Sequence, residues 1–346
     1  MVAILTVSSP QQHPSEVWNE TIRHAGGHML QSWEWGEFKS RHGWTPERIS
    51  VESETGRAFA QVLFRSRGPV SVGYVPRGPV LDGDAASVWP ELRAGLDEAA
   101  RRHRAITLIV EADGGVGLTG SYRGAGFVRG PDHIQPGRTV KVPLRDDDAL
   151  LAHMHQKTRY SVRLATRRGV VVEHVVPDTK AMDAFYALLQ ETAERNAFQV
   201  HSREYYDDFV HIFAEHIVLL HAMVEGNYAA TLIAAAFGDE AIYMYGASSS
   251  QHRAHGAAFL LQFEAMRWAR ERGCARYDLW GIPDEDPETI KGEGDKVAST
   301  HGDDWRGLYR FKTGFGGEIV RYPPTMERRY VHVLAWLARR SGVLRG

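Results

Sequence analysis

The chain of 346 residues contains a single cysteine, Cys274. One thiol cannot form an internal disulfide, and it excludes metal sites built from several cysteines. The position of Cys274 in a predicted helix-to-strand turn is typical of a buried structural thiol rather than a nucleophile. Low cysteine usage is also typical of proteins from a reducing compartment, and we expect this protein to be cytoplasmic.

Several catalytic motifs are missing as well. The 17 histidines include no H-E-x-x-H pair and form no Cys/His cluster, so we expect no metal. There is no G-x-S-x-G elbow and no G-x-x-x-x-G-K-[ST] loop, which argues against a serine hydrolase and a P-loop ATPase. The remaining chemistry is acyl transfer without a covalent enzyme intermediate, in which a bound amine attacks a bound ester or thioester.

The sequence also lacks long apolar runs and a large excess of one charge. No run approaches the ~20 residues of a membrane span, and no secretory signal pattern opens the chain. The formal net charge is −2, so contact with nucleic acid would need a local basic patch. Tyr330 to Leu344 is predicted to form a basic amphipathic helix, either packed on the protein or in peripheral contact with the inner face of a membrane.

The most informative stretch runs from Gly246 to Gly281. It is predicted to form the end of a strand, a turn, an amphipathic helix and a second strand, with Ser248–Ser250 capping the helix. The turn contains Arg253-x-x-Gly256-x-Ala258, which resembles the R/Q-x-x-G-x-G/A loop of the GNAT acyltransferases. In that superfamily the loop and the helix N-terminus hold the pyrophosphate of coenzyme A.

The order of predicted elements recurs, which indicates an internal duplication of one αβ unit. Arg123 to Phe127 and Lys312 to Gly316 share a Gly-Phe pattern at a spacing of roughly 180 residues. We therefore predict an α/β (α+β) protein with two tandem GNAT-like domains and mixed, partly parallel sheets. The first domain comprises residues 1–145 and 317–346, and the second comprises residues 146–316.

Three further segments carry candidate binding residues. Lys39 follows an aromatic cluster, and Arg203 lies with Tyr205 and Tyr206 at a predicted helix start that could bind an anion. A helix predicted over 146–169 carries Arg159, Arg163 and Arg167 at spacings of four residues. Such a basic stripe is typical of a solvated helix face, and the alternative is a contact with an RNA backbone.

Seven motifs in order carry a resemblance to a known family: QSWEWGEFK, GYVPRGPV, QKTRYSVRLATRRGV, the 198–206 segment, YMYGASS, YDLWGIP and GLYRFKTGFGG. Together they resemble the FemABX peptidoglycan-bridge aminoacyltransferases. The similarity runs from about Gln31 to about Tyr322. The long helical arm of FemA-type members is absent, so the chain resembles the arm-less FemX-type branch.

The resemblance implies transfer of an amino acid from aminoacyl-tRNA to a stem-peptide amine of UDP-MurNAc-pentapeptide or lipid II. No other cofactor is implied, and arm-less members are expected to be monomers. Lys312 would be the catalytic residue, stabilising charge on the ester. The residues that would bind the acceptor are Lys39, His201, Arg203, Tyr206 (or Tyr205) and Tyr245. Glu111 matches an acidic position whose role, structural or base, stays open.

Two alternatives remain. One is a coenzyme A-dependent N-acyltransferase on the same fold, which predicts an open pyrophosphate loop at Arg253 to Ala258. The other is a non-catalytic binder of cell-wall precursor or tRNA, in which Lys39 and Arg203 matter and Lys312 is dispensable. A GNAT-like fold alone does not decide between them, because it supports many acyl transfers.

Overall fold

The structure is a computed structural model that describes residues 13–114, 122, 124–196, 199–286 and 305–335. The chain divides into two compact units, Met1–Gln135 with Tyr322–Gly346, and Pro136–Arg321. The sequence placed these boundaries at 145/146 and 316/317. The structure differs because two strands flanking the second unit, at 138–143 and 318–321, pair with each other in its sheet.

The described helices and strands are numbered in chain order. The helices are α1 (Pro14–His24), α2 (Trp33–Arg41), α3 (Ala85–Arg102), α4 (Asp147–His153), α5 (Gln156–Arg167), α6 (Thr179–Asn196), α7 (Arg203–Phe213), α8 (Ala257–Glu271) and α9 (Trp305–Thr313). The strands are β1 (Thr45–Glu52), β2 (Gly56–Arg67), β3 (Val70–Pro76), β4 (Val80–Gly83), β5 (Ala105–Glu111), β6 (Val128–Arg129), β7 (Arg138–Pro143), β8 (Val171–Val175), β9 (Ile217–Val224), β10 (Asn227–Phe237), β11 (Glu240–Ser248), β12 (Arg276–Gly281), β13 (Glu318–Arg321) and β14 (Met326–Arg329).

The first unit is built on a mixed sheet with the order β1-β2-β3-β5-β14-β6, and β4 pairs with β2. The strands β1, β2 and β3 are antiparallel, whereas β3 and β5 are parallel and joined through α3. The helical spacing of the apolar residues Val88, Leu92, Leu96 and Ala99 predicts this helix, and all four are buried against the sheet. The i, i+4 spacing of these residues is what fixes the face that α3 presents to the sheet.

The second unit has a seven-stranded sheet with the order β13-β7-β12-β11-β10-β9-β8. Its strands β9, β10 and β11 are antiparallel, and β11 is parallel to β12 through α8. The first unit has the same sequence of three antiparallel strands, a helix and a parallel strand. The predicted α/β fold with two repeated units and mixed sheets is confirmed.

The start of α8 differs from the sequence prediction. The helix begins at Ala257, its N-cap is Gly256, and no side chain caps it, so the predicted serine cap is wrong. Gly256 has a φ of 73°, and a Cβ there would lie 2.8 Å from the carbonyl oxygen of Ser161 in α5. Only glycine adopts this left-handed conformation at so close an approach to another helix. The motif glycine therefore lets α8 start directly against α5.

Three other predictions on local structure can be compared. The helix predicted over 146–169 is two helices, α4 and α5, because the backbone of Met154 is extended. The polar, glycine-containing sequence from Asp284 to Asp304 predicts a loop, and most of it (residues 287–304) lies outside the described residues, as does most of the predicted C-terminal helix (residues 336–344). In the described ranges the longest helices have 18 residues, and none is long and apolar enough to cross a membrane.

Candidate functional site

A cavity opens in the second unit where two parallel strands separate. β11 and β12 pair only over Glu240–Ile242 and Arg276–Asp278, although β11 continues to Ser248 and β12 to Gly281. The pairing of β10 with β11 also shifts register next to Met244. A β-bulge re-aims side chains, and here it lies beside the gap. The resulting cavity has a volume of about 1340 Å³.

The cavity wall is largely aromatic, with few charged groups. Its rings come from Tyr206, Tyr243, Tyr245, Phe259, Trp280 and Phe311. Such walls suit a ligand that has both flat or apolar groups and a few polar atoms. Lys312 lies among these rings and supplies a cationic group to the cavity.

Lys312 lies in the last turn of α9 and is buried, with 5% of its surface exposed. Its Nζ donates a hydrogen bond of 2.7 Å to the carbonyl oxygen of Gly281 and lies 5.7 Å from the ring centre of Tyr243. Burial lowers the pKa of Lys312 to about 7, against an opposing effect of the Asp278 carboxylate. At neutral pH this side chain can therefore both donate and accept a proton.

The glycine-rich turn after Lys312 fixes the end of α9. Gly316 has a φ of 81°, and a Cβ there would overlap the carbonyl group of His153 at the end of α4. Phe315, which is fully buried, packs 5.4 Å from Phe311 and 6.1 Å from Phe259. The Phe-Lys-x-Gly-Phe-Gly motif thus anchors the residues on both sides of Lys312 to the core.

The structure brings Tyr206 and Tyr245 together at the cavity wall. Their rings are perpendicular, with centres 5.0 Å apart. The hydroxyl of Tyr206 accepts a hydrogen bond of 3.3 Å from the backbone N–H of His201, whose ring stacks on Tyr205 at 3.9 Å. Tyr206 lines the cavity whereas Tyr205 does not, which separates two residues that the sequence left interchangeable.

Arg203 has a different environment from the one predicted. Its Nε donates to the Oδ1 atom of Asp207 at 2.9 Å, and a terminal nitrogen pairs with Asp183. Neither Arg203 nor His201 is among the described residues that line the cavity. Two carboxylates compensate the charge of Arg203, so an anionic ligand would have to compete with them. The role of Arg203 in binding an acceptor stays a prediction.

Lys39 belongs to the first unit and lies among aromatic rings, as its sequence context indicated. Its Nζ is 5.7 Å from the ring centres of Trp35 and Phe38 and 6.0 Å from that of Trp44. Burial, together with the charge of Arg65, lowers the pKa of Lys39 to about 8. A cation that is partly desolvated in this way interacts strongly with an anion, because little hydration remains to be removed.

Glu111 is fully buried in the first unit, and its carboxylate has many donors. It accepts hydrogen bonds from the hydroxyl of Tyr74 and from the backbone N–H groups of Ile134, at 2.6 Å, and Gln135, at 3.1 Å. Burial alone would raise the pKa of Glu111, but the bonds from His133, Tyr74 and the backbone outweigh burial and lower the pKa. These contacts favour the structural role over the role of base.

The three arginines of the basic stripe are not equivalent. Nη1 of Arg159 donates to the carbonyl oxygens of Leu151, Ala152 and Met154, each at 3.2 Å. Arg159 is therefore only partly exposed and binds the C-terminal end of α4, where a cation is favoured by the helix dipole. Arg163 and Arg167 are exposed on α5. A contact with tRNA stays a prediction for all three arginines, although Arg159 also binds the end of α4.

This difference predicts separate effects for the arginines. Arg159→Ala should lower the free energy of unfolding by about 1–2 kcal/mol, because three carbonyl groups lose a charged donor. The double change Arg163→Ala/Arg167→Ala should leave stability within about 0.5 kcal/mol and weaken RNA binding with a shallower salt dependence. Urea unfolding and binding of an acceptor-stem RNA at several salt concentrations measure the two effects. An unchanged salt slope in the double variant would remove both residues from the RNA contact.

A positively charged corner of the cavity adjoins the start of α8. Arg253, Gly256 and Ala258, the three motif residues, all line the cavity, together with Arg195. Arg195 donates to the carbonyl of Ser248 at 3.0 Å and to the hydroxyl of Ser250 at 2.9 Å. Two guanidinium groups and a helix N-terminus are suited to phosphate groups.

Sequence reasoning did not single out Arg195, Trp280 or Asp278. Asp278 lies in the second strand predicted for the Gly246 to Gly281 stretch, and it is fully buried there. A carboxylate in a buried strand needs compensating partners. The presence of an aspartate in an otherwise apolar predicted strand is therefore the signal that could have marked Asp278 as a functional residue. Cys274, in contrast, is buried as predicted, and burial raises its pKa to about 11, which keeps the thiol unreactive.

Comparisons with known proteins agree with this architecture. Residues 14–113 match the FemAB family model, and residues 152–288 match the model of the acetyltransferase (GNAT) domain. The chain is 25% identical to lipid II:glycine glycyltransferases of Staphylococcus saprophyticus and Staphylococcus aureus, over 77% of this chain and 83% of each relative.

Two solved structures share the fold. The crystal structure of FemX superposes with a TM-score of 0.82 at 22% identity, covering 95% of this chain and 99% of FemX. The structure of L-PGS from Bacillus licheniformis gives a TM-score of 0.56 at 14% identity, covering 96% of each chain. The chain thus matches the FemAB family model in its first unit and the GNAT domain model in its second, and it shares the FemX fold over nearly its whole length.

Proposed function

We propose that this protein is an aminoacyltransferase of peptidoglycan bridge synthesis, which transfers an amino acid from aminoacyl-tRNA to a stem-peptide amine. The acceptor is a peptidoglycan precursor, UDP-MurNAc-pentapeptide or lipid II. The observation that carries the proposal is the buried Lys312 in an aromatic cavity, held by the Phe-Lys-x-Gly-Phe-Gly motif of this family. The similarity to lipid II:glycine glycyltransferases supports the class of acceptor.

The proposed reaction needs no covalent enzyme intermediate and no cofactor besides the donor. The acceptor amine attacks the ester carbonyl carbon, a C–N bond forms, and the C–O bond to the terminal ribose breaks. The amine loses a proton and the ribose oxygen gains one. In its ammonium form Lys312 stabilises the developing negative charge and donates to the leaving oxygen. Its pKa of about 7 permits a proton to be given up and recovered near neutral pH.

Lys39 is proposed to bind the diphosphate of the acceptor. Its pKa of about 8 is below the ordinary value of 10.5, so the charged form is lost as the pH rises through about 8. Affinity for UDP-MurNAc-pentapeptide should therefore fall above this pH, with the midpoint at or above it because the bound anion stabilises the ammonium. Calorimetric titration from pH 6.5 to 10 measures this dependence. The Lys39→Arg variant, which keeps its charge, should lose the dependence, and an identical profile in that variant would contradict the role.

One observation favours a second candidate, an acyl-coenzyme A-dependent N-acyltransferase. The Arg253 to Ala258 loop lines the cavity, as this alternative predicted. However, aminoacyl-tRNA also carries phosphates that Arg195, Arg253 and the start of α8 could bind. The FemAB match in the first unit and the similarity to lipid II:glycine glycyltransferases favour aminoacyl transfer.

The test is one transfer assay with two donors. The protein is incubated with UDP-MurNAc-pentapeptide and a labelled aminoacyl-tRNA pool, in parallel with acetyl-coenzyme A, and the acceptor is weighed by mass spectrometry. We expect the acceptor to gain one or more amino-acid residues, and RNase treatment should abolish this gain. An acetyl gain would establish the second candidate instead. If neither donor reacts, the assay is repeated with lipid II as the acceptor, and no product with either acceptor would refute the proposal.

The protein is further proposed to act as a monomer in the cytoplasm. When the acceptor is lipid-linked, the protein would contact the inner face of the membrane peripherally. The proposed location follows from the class of substrate, since both acceptors are precursors of the cell wall. Sedimentation of the purified protein with and without lipid II vesicles measures both properties. A stable dimer, or equal sedimentation with vesicles that lack lipid II, would count against them.

A further inference from the structure

Asp278 lies at the point where the cavity begins, and the proposed reaction has not used it. It is fully buried, and it is the last residue of β12 that pairs with β11. Its Oδ1 atom accepts a hydrogen bond of 2.7 Å from the backbone N–H of Trp280 and another from the hydroxyl of Thr139 in β7. Its Oδ2 atom lies 3.9 Å from Nζ of Lys141.

The backbone that Asp278 holds is unusual. Trp280 has a φ of 61°, a left-handed conformation that is rare for a bulky residue. Such conformations persist only where surrounding contacts determine them, and they are common at functional sites. Here the bond from Trp280 N–H to Asp278 lies within β12, where the pairing of β12 with β7 shifts register, so the carboxylate stabilises this irregular end of the strand.

The next residue along the chain makes the link to the proposed chemistry. The carbonyl of Gly281, directly after Trp280, is the acceptor of the Lys312 Nζ hydrogen bond. The direction of this carbonyl depends on the backbone dihedral angles of Trp280 and Gly281. A continuous path therefore joins Thr139, Asp278, the backbone of 280–281 and Lys312.

We infer that Asp278 is a positioning residue for Lys312: it holds the backbone whose Gly281 carbonyl orients the ammonium group, and its negative charge favours the ammonium form. This inference rests on the proposed function of Lys312. The charged and titratable groups of the second unit that act on the pair are Lys141 in β7, Tyr243 and Glu240 in β11, and Tyr277 beside Asp278 itself. Asp278 is the group among them that opposes the loss of charge by Lys312.

The primary test uses a chemical readout that does not depend on turnover. Trace acetic anhydride labels lysine amines in their neutral form, and the yield of the labelled Lys312 peptide is measured by mass spectrometry from pH 5 to 10. In Asp278→Asn, which keeps the shape and loses the charge, the midpoint for Lys312 should move to lower pH by roughly one unit. Asp239→Asn is the matched control and should behave like the wild type, because it changes a largely exposed carboxylate that precedes β11 and pairs with Arg276 at the start of β12.

Kinetics supply the second readout. Asp278→Asn should lower kcat by roughly 10- to 100-fold, because the ammonium is displaced, while KM for the acceptor stays within about twofold. A labelling midpoint and a kcat both equal to those of the wild type would overturn the inference. If the wild type shows no transfer at all, the proposed function fails, and the labelling midpoint still reports whether Asp278 acts on Lys312.

A second variant keeps the test decisive if Asp278→Asn does not fold. Thr139→Val removes one of the donors to Asp278 with little change of shape and leaves the charge in place. It should lower kcat several-fold while the labelling midpoint of Lys312 stays within about half a unit of the wild type. An unchanged kcat in this variant would contradict positioning through Thr139 and Asp278.

Discussion

Lys312→Met should lower kcat by roughly 10²- to 10³-fold while the KM of the acceptor changes little. The methionine keeps the apolar stem of the side chain and removes the donor that stabilises charge in the transition state. The cavity keeps its rings, so ground-state binding should be preserved. Steady-state kinetics with saturating aminoacyl-tRNA and varied acceptor measure both parameters. A kcat within threefold of the wild type would remove Lys312 from the mechanism and favour a binding-only role.

Stability provides the control for this variant. The pKa of Lys312 in the folded protein, about 7, is below its ordinary value of 10.5. Between these two values the unfolded chain binds the extra proton, so the penalty for burying Lys312 is complete below pH 7 and is relieved as the pH rises. Lys312→Met should therefore have a Tm at pH 6 at least equal to that of the wild type. If the Tm of the variant is lower than that of the wild type, its loss of kcat would be explained by unfolding rather than by the missing ammonium group.

Glu111→Ala should reduce the free energy of unfolding by about 3–5 kcal/mol and leave kcat within about threefold. The change leaves the buried hydroxyl of Tyr74 and the N–H groups of Ile134 and Gln135 without their acceptor. Urea unfolding measures the stability, and kinetics well below Tm measure the turnover of folded protein. The exposed Glu54, in the turn before β2, is the matched control, and Glu54→Ala should change stability by less than about 0.5 kcal/mol.

The two roles considered for Glu111 give opposite patterns. If Glu111 were a general base, its removal would lower kcat by roughly 10²-fold or more and would have a smaller effect on stability. Because the pKa of Glu111 is lowered from 4.5 in the folded protein, its contribution to stability is present above that value and is lost as the pH falls through the folded-state pKa. Should Glu111→Ala not fold, Glu111→Gln at pH 7 allows the same comparison.

The sequence predicts the fold well where periodic apolar positions decide it. The spacing of Val88, Leu92 and Leu96 gave α3, and the repeated order of elements gave two related units. Boundaries were less accurate, because the partners of β7 and β13 come from distant parts of the chain and leave no local signal. The capping of α8 was also wrong, since the close packing of Gly256 on α5 is a tertiary contact.

For the site, local motifs predicted which residues take part better than they predicted which groups surround those residues. Lys312, Tyr206 and Tyr245 do line one cavity. Arg203 pairs with Asp207 on its own helix, but its second partner, Asp183, lies on another helix. The carbonyl groups that Arg159 binds are also outside its helix, and a spacing of basic residues cannot reveal such partners. Asp278 is the last residue of β12 that pairs with β11 before the two strands separate. Only the register of the sheet shows that this buried carboxylate lies at the point of separation.

The most direct measurement of the central claim is protection of Lys312 by the donor. An acceptor-stem RNA hairpin that carries the amino acid in a stable amide linkage is added at saturating concentration, and lysine labelling by trace acetic anhydride is compared with the free protein. If the aminoacyl ester reacts in this cavity, labelling of Lys312 should fall at least ~10-fold, whereas the exposed Lys180 should be labelled as before. Unchanged labelling of Lys312 by a bound analogue would contradict the account, because the donor would then react elsewhere.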